Sequence, residues 1–184
     1  MHYTGTIWRP PYESGSLLLE AAAGCTHHRC KFCTLYDELP FRFRLSPLED
    51  IEADLAAAQA LLRGQLVQRV FLVGANPFAL QTERLKAIAG RIRKYFPECR
   101  TIGCFARVTD VGRKTDEALR ELRRLGYDGL TIGVETGYDP ALLFMDKGYQ
   151  ARDIVEQAHR LDEAGIAYHF FYLAGIAGAG RGEA

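Results

Sequence analysis

No stretch of the 184-residue sequence comes near the ~20 consecutive apolar residues of a membrane-spanning helix. Leu17-Leu18-Leu19 is too short, and the N-terminus lacks the pattern of a signal peptide. Net charge is also missing: 23 basic residues balance 23 acidic ones. Composition therefore makes no case for a nucleic-acid or acidic-membrane partner. An even, dispersed set of cysteines is missing too. The five present are odd in number, and three crowd into one loop, which is not the layout of a secreted disulfide framework. Clustered thiols in a reducing compartment more often bind metal or act in catalysis. The expected location is cytoplasmic, with no membrane partner.

What is present suits a soluble globular protein. Hydrophobic residues make up 48% and charged residues 25%. The length predicts one domain, residues 1–184, with a substantial core. There is no close internal repeat, and no low-complexity segment apart from a glycine-rich tail.

Strand and helix signals alternate. A polar and aromatic lead-in with Arg9-Pro10-Pro11 precedes a first strand, Ser16 to Ala23. Ser46, Pro47 and Glu49 predict a capping box, opening a helix whose stripe is Leu48, Ile51, Leu55, Ala58 and Leu62. Further strands are expected at Val67 to Val73, Thr101 to Ala106, Gly129 to Val134 and Ile166 to Leu173. Helices are expected at Thr82 to Phe96, after Thr115, and at Ala151 to Ala164, with a short helical piece near Leu142. Five strands alternating with four main helices predict right-handed crossovers and a parallel sheet. In such folds the active site lies at the C-terminal strand ends.

The unusual residues gather at those ends. Residues 24 to 33 read Gly-Cys-Thr-His-His-Arg-Cys-Lys-Phe-Cys, so Cys25, Cys30 and Cys33 have the spacing C-x4-C-x2-C. Three thiolates are one short of the four that close a structural zinc or iron–sulfur site. The fourth position is either open for chemistry or filled by His27, His28 or another cysteine around zinc. His27 and His28 themselves read as loop surface residues. Asn76 follows the second strand, Arg107 the third, Glu135 the fourth, and the glycines from Gly175 the fifth.

The loop Gly-Cys-Thr-His-His-Arg-Cys-Lys-Phe-Cys-Thr-Leu-Tyr resembles the cluster loop of radical S-adenosylmethionine (radical SAM) enzymes. The commonest spacing there is C-x3-C-x2-C, and this loop has one more residue in the first gap. The resemblance implies that Cys25, Cys30 and Cys33 hold a [4Fe–4S] cluster whose fourth iron is chelated by SAM. It also implies that Phe32 lies near the adenine. The fold it implies is a partial (β/α)6 barrel, of which the chain supplies five strands. The strand-four and strand-five segments look closest to the group of methylthiotransferase-like and oxygen-independent coproporphyrinogen-oxidase-like proteins. The implied chemistry is one-electron cleavage of SAM to a 5′-deoxyadenosyl radical, which abstracts hydrogen from a substrate that the sequence does not name. An external electron donor of flavodoxin or ferredoxin type is implied as well.

Each remaining site residue has a role under the resemblance and a plainer one beside it. Gly74-Ala75-Asn76 occupies the place of the motif that binds the SAM amino group; Asn76 is otherwise a turn residue before Pro77. Glu135, in Gly-Val-Glu-Thr-Gly, approaches the SAM ribose or amino group, or forms a salt bridge, for example to Arg107. Arg107 meets the SAM carboxylate, or pairs with Asp110 or Glu135. Gly175 and Gly178 pass the adenine, or form a plain turn. Lys147, in Met-Asp-Lys-Gly, is expected in surface or loop structure, and Cys99 and Cys104 near the third strand as ordinary core or surface thiols. No catalytic acid, base or radical-quenching residue is identified. The glycine-rich ending predicts a chain incomplete at its C-terminus, with a partly uncovered sheet. Two other readings stand beside this one: a zinc-stabilised α/β binding module without redox chemistry, and a flavodoxin-like domain with a redox-sensing thiol loop.

Overall fold

The structure, a computed structural model, describes residues 1–176. Five parallel strands form its sheet: β1 (Leu17–Glu20), β4 (Arg69–Val73), β5 (Thr101–Ala106), β6 (Tyr127–Glu135) and β7 (Tyr168–Tyr172). They lie side by side in chain order, each paired in parallel with the next. Helix α1 (Leu48–Leu62), α2 (Thr82–Tyr95), α4 (Asp116–Arg124) and α6 (Ala151–Ala164) make the crossovers. Two shorter helices, α3 (Val108–Gly112) and α5 (Asp139–Phe144), follow β5 and β6.

Strand order fixes the architecture. Every crossover steps one strand in the same direction, and right-handed connections then put all the helices on one face. A flavodoxin-like sheet reverses direction once and carries helices on both faces; this sheet shows no reversal, so that alternative falls. The outcome is an open, barrel-type α/β sheet with a helical outside and a free inner face, as expected.

Alternation along the strands separates the two faces. Val70 and Leu72 of β4, Ile102 and Cys104 of β5, and Leu130 and Ile132 of β6 pack into the core under the helices, together with Ile51, Leu55, Leu85, Ile88, Leu119 and Leu161. The intervening residues face inward. There the Phe71 and Phe105 rings meet edge to face at 5.2 Å. Lower on this face, the Arg69 guanidinium crosses Gly103 and Gly129, where a Cβ would lie 2.4 and 2.6 Å from its Nη2. It grips the buried Glu13 of the N-terminal lead-in through two hydrogen bonds, of 2.8 and 2.5 Å.

Two local expectations change and a third holds. The first predicted strand is two strands: β1 joins the main sheet, while β2 (Ala22–Gly24) pairs antiparallel with β3 (Phe43–Leu45) in a separate ladder. Ser46 does not cap α1, whose N-cap is Pro47 without a side-chain bond; the Ser46 hydroxyl instead donates to Glu20, 3.4 Å away. The expected cap at Thr115 does form, accepting from the Ala118 N–H at 3.1 Å.

Candidate functional site

The cysteine loop is a closed unit. The β2–β3 ladder shuts its base, and the Cys25 N–H extends that ladder to the Arg42 carbonyl at 2.8 Å. Gly24 makes the closure possible. Its φ is +78°, and a Cβ there would sit 2.2 Å from the Arg42 carbonyl oxygen. Within the loop, the Cys33 N–H bonds back to the Cys30 carbonyl at 3.1 Å.

Two supports hold the loop over the strand ends. One is Asn76, which is buried. Its Oδ1 accepts from the Thr26 N–H at 3.2 Å, and its Nδ2 donates to the Thr26 hydroxyl at 2.6 Å and to Asp110 at 2.9 Å. Its side chain therefore staples the loop to β4 and α3, and Ala75 forms the cleft wall there. Gly74, at φ +125°, lets the β4 end approach β2, since a Cβ would lie 2.3 Å from the Ala22 carbonyl oxygen. Asp110 takes the other end of the staple. Burial pushes its carboxyl up, while the Asn76 amide and the Arg107 backbone N–H counter the shift.

The second support is the segment after α5. The Lys31 N–H donates to the Met145 carbonyl at 3.1 Å, and His27 Nε2 contacts the Asp146 carbonyl at 2.5 Å. His27 is thus buried, contrary to the surface position expected, and burial lowers its pKa. Gly148, at φ +78°, leaves room for that ring: a Cβ would lie 3.2 Å from its Cε1.

Lys147 sits in the same segment and is 4% exposed. It is not the surface residue expected. Its Nζ donates to the Gly133 carbonyl at 2.9 Å and to Glu135 Oε1 at 3.2 Å, and lies 5.6 Å from the Phe32 ring centre. Glu135 therefore pairs with Lys147, and not with Arg107. It has φ +68°, left-handed in a non-glycine residue, and its carbonyl accepts from the Leu173 N–H at 2.9 Å. Such a conformation is costly and persists only where its surroundings over-determine it. Arg107 donates Nη1 to Thr109 at 3.0 Å and Nη2 to the Lys147 carbonyl. Asp110 accepts its backbone N–H at 2.8 Å, so no side-chain ion pair joins them.

These residues share one cleft, between the sheet's inner face and the cysteine loop. Cys25, Cys30 and Cys33 form one side; Phe32, Arg107, Glu135 and Lys147 also line it. The same thiols wall a second hollow on the outer face of the loop, beside His28 and Arg29. All three cysteines are free. Burial pushes the Cys30 thiol up, with Lys147 and Arg107 pulling it back. Cys99 and Cys104 are buried structural thiols, as expected. Gly175 has φ +78° in the turn after β7, and Gly178 lies outside the described residues.

The description of the radical SAM superfamily matches residues 19–178. The chain belongs to the radical SAM superfamily. Among solved structures, it is similar to a cobalamin-dependent S-adenosylmethionine radical enzyme, OxsB, at 20% identity and a TM-score of 0.71, covering 86% of this chain and 24% of that one. The radical S-adenosylmethionine methyltransferase TsrM from Kitasatospora setae matches at 17% identity and a TM-score of 0.64, over 84% of this chain and 30% of the other. Coproporphyrinogen III oxidase (HemN) from Escherichia coli matches at 16% and 0.63, over 84% and 36%. At these identities the likeness is one of fold. This radical SAM chain spans about a quarter to a third of the length of those three proteins. A search of the curated proteins found no match.

Lys147 is the site residue that sequence reasoning missed. Its signal was present in Phe-Met-Asp-Lys-Gly, but burial of that lysine depends on Gly133 and Glu135, 14 and 12 residues earlier on β6.

Proposed function

We propose that this radical SAM chain holds a [4Fe–4S] cluster through Cys25, Cys30 and Cys33 and binds SAM in the cleft beside it. The observation that carries the proposal is the shared cleft: three free thiols and the C-terminal ends of the parallel strands line the same space. The donor set fits. Three thiolates leave one iron open, and a neighbouring wall of one carboxylate, one ammonium and one guanidinium suits a zwitterionic ligand. When bound, the cluster and SAM supply one-electron cleavage of the SAM C5′–S bond and abstraction of a hydrogen atom from a substrate.

The chain's own residues orient and enclose. Glu135 presents a carboxylate to an ammonium, and Arg107 and Lys147 present positive charge to a carboxylate. Phe32 offers a ring face to the adenine. Asn76 acts through Thr26 by holding the loop. The substrate is open, and the electron donor is an external carrier of flavodoxin or ferredoxin type. No helix among the described residues is long and apolar enough to cross a membrane.

A single zinc ion is the competing occupant. It needs donors converging at ~2.0–2.3 Å on one point. Among the described residues, no three His, Cys, Asp or Glu side chains are grouped to hold one ion.

Anaerobic reconstitution with iron and sulfide, with and without SAM, tests the proposal. It expects a brown protein with about four irons per chain, bleached by dithionite and spectrally altered by SAM. A colourless protein with one zinc, indifferent to SAM, sinks it.

A further inference from the structure

The cleft has a second wall that the cofactor assignment leaves unused. Besides Arg107, Glu135 and Lys147 the cleft carries apolar side chains, Trp8, Leu35, Phe105 and Phe171. Trp8 is the sole tryptophan of the sequence and is 43% exposed. It belongs to the lead-in before β1, yet that segment is fastened on both sides of it. Upstream, the Thr4 N–H and hydroxyl donate to the buried Glu20 carboxylate at 2.6 and 2.9 Å. Downstream, Pro10 is buried, Tyr12 hydrogen-bonds Thr131 on β6 at 2.7 Å and stacks on His169 of β7 at 4.7 Å, and Glu13 pairs with Arg69. The indole is thus carried over the cleft by an anchored strap, without being packed into the core.

An exposed aromatic ring on a pre-ordered segment loses little entropy when something stacks on it. Aromatic rings prefer flat partners in offset or edge-on contact. Resting on the cofactor assignment above, we infer that Trp8, with Leu35 and Phe171, is a binding residue for the second ligand of the cleft, the substrate. That substrate brings a planar, apolar group to this wall. The occupant is the small-molecule substrate because this wall lines the same cleft as the three thiols, within reach of the chemistry proposed there.

The test uses reconstituted protein with SAM and two probes of matched skeleton, flat 2-naphthol and puckered 2-decalol. Emission from Trp8 reports on the wall without any label. 2-Naphthol is expected to quench that emission and to bind about tenfold more tightly than 2-decalol, the scale of one aromatic contact. Trp8→Ala and Leu35→Ala, followed through naphthol emission, each weaken binding about tenfold; Trp8→Phe retains it. Circular dichroism of the variants checks the fold, which an exposed indole does not hold together. Equal affinity for both probes, or unchanged naphthol binding in Trp8→Ala, overturns the inference, including the case in which this wall is covered by another part of a longer protein. The SAM-induced change in the cluster spectrum is read separately: its loss in the unaltered protein overturns the cofactor assignment, while its survival without a naphthol response overturns only the role of Trp8.

Discussion

At Gly24 one hydrogen atom in place of a side chain decides whether the cysteine loop closes. Gly24→Ala would combine a left-handed conformation with a backbone collision at the Arg42 carbonyl. A cost of ~1–3 kcal/mol follows, and a Tm lower by roughly 3–10 °C in a chain of this length; calorimetry of the iron-free protein checks it. An unchanged Tm would show that the β2–β3 ladder adjusts freely. Lys147 is the other decisive residue. Lys147→Met leaves the Glu135 carboxylate, 12% exposed, without its ammonium. Stability is expected to fall by about 3 kcal/mol, because a stranded buried charge costs more than the pair contributed. The double variant Lys147→Met with Glu135→Gln should recover most of that loss in denaturant titrations, yet still fail to respond to SAM. If the double variant responds normally, neither side chain touches the ligand.

Elements were legible where the pattern is long and local. Helix α6 starts and stops where its apolar stripe and Gly165 predicted, and β5 spans the predicted Thr101 to Ala106. The two three-residue strands β2 and β3 escaped notice because no periodicity can be read over three residues. Ser46 looked like a cap until Glu20, 26 residues earlier, claimed its hydroxyl. The cysteines were legible because spacing along one loop is a local property. Lys147 and His27 were not, since their burial comes from segments far off in the chain. A gap of 56 residues likewise separates Glu13 from Arg69, the pair that ties the lead-in to the sheet. Burial alone would raise the Glu13 carboxyl, but the Arg69 fork and the Ser16 hydroxyl outweigh it and hold it below its ordinary value of 4.5. Its folded value is depressed, so the stabilisation is fully present above about pH 4.5 and is lost as pH falls through the lowered value. Arg69→Met should cost about 3 kcal/mol at neutral pH and remove this part of the acid dependence in pH-resolved urea titrations. An unaltered acid profile would mean that the pair contributes nothing to the pH dependence of the folded state.

Across the whole molecule, the sheet is unevenly covered. Strands β4, β5 and β6 are buried, whereas β7 at the end of the strand order exposes Phe171 at 39% and Tyr172 at 63%. A flat aromatic edge strand invites edge-to-edge pairing. Tyr172→Lys is expected to reduce light scattering of concentrated protein without changing its Tm, since the residue packs against little. Equal scattering by both proteins would place the self-association elsewhere.

The cysteine loop and the stretch after α5 hold each other: Lys31 to Met145, His27 to Asp146, and the Lys31 ammonium 4.9 Å above the Phe144 ring. Two stretches so joined share one opening equilibrium. Whatever steadies the cysteine loop then also steadies residues 144–148 against local opening. Iron uptake should therefore appear as slower amide hydrogen exchange more than a hundred residues along the chain, at amides that touch no sulfur.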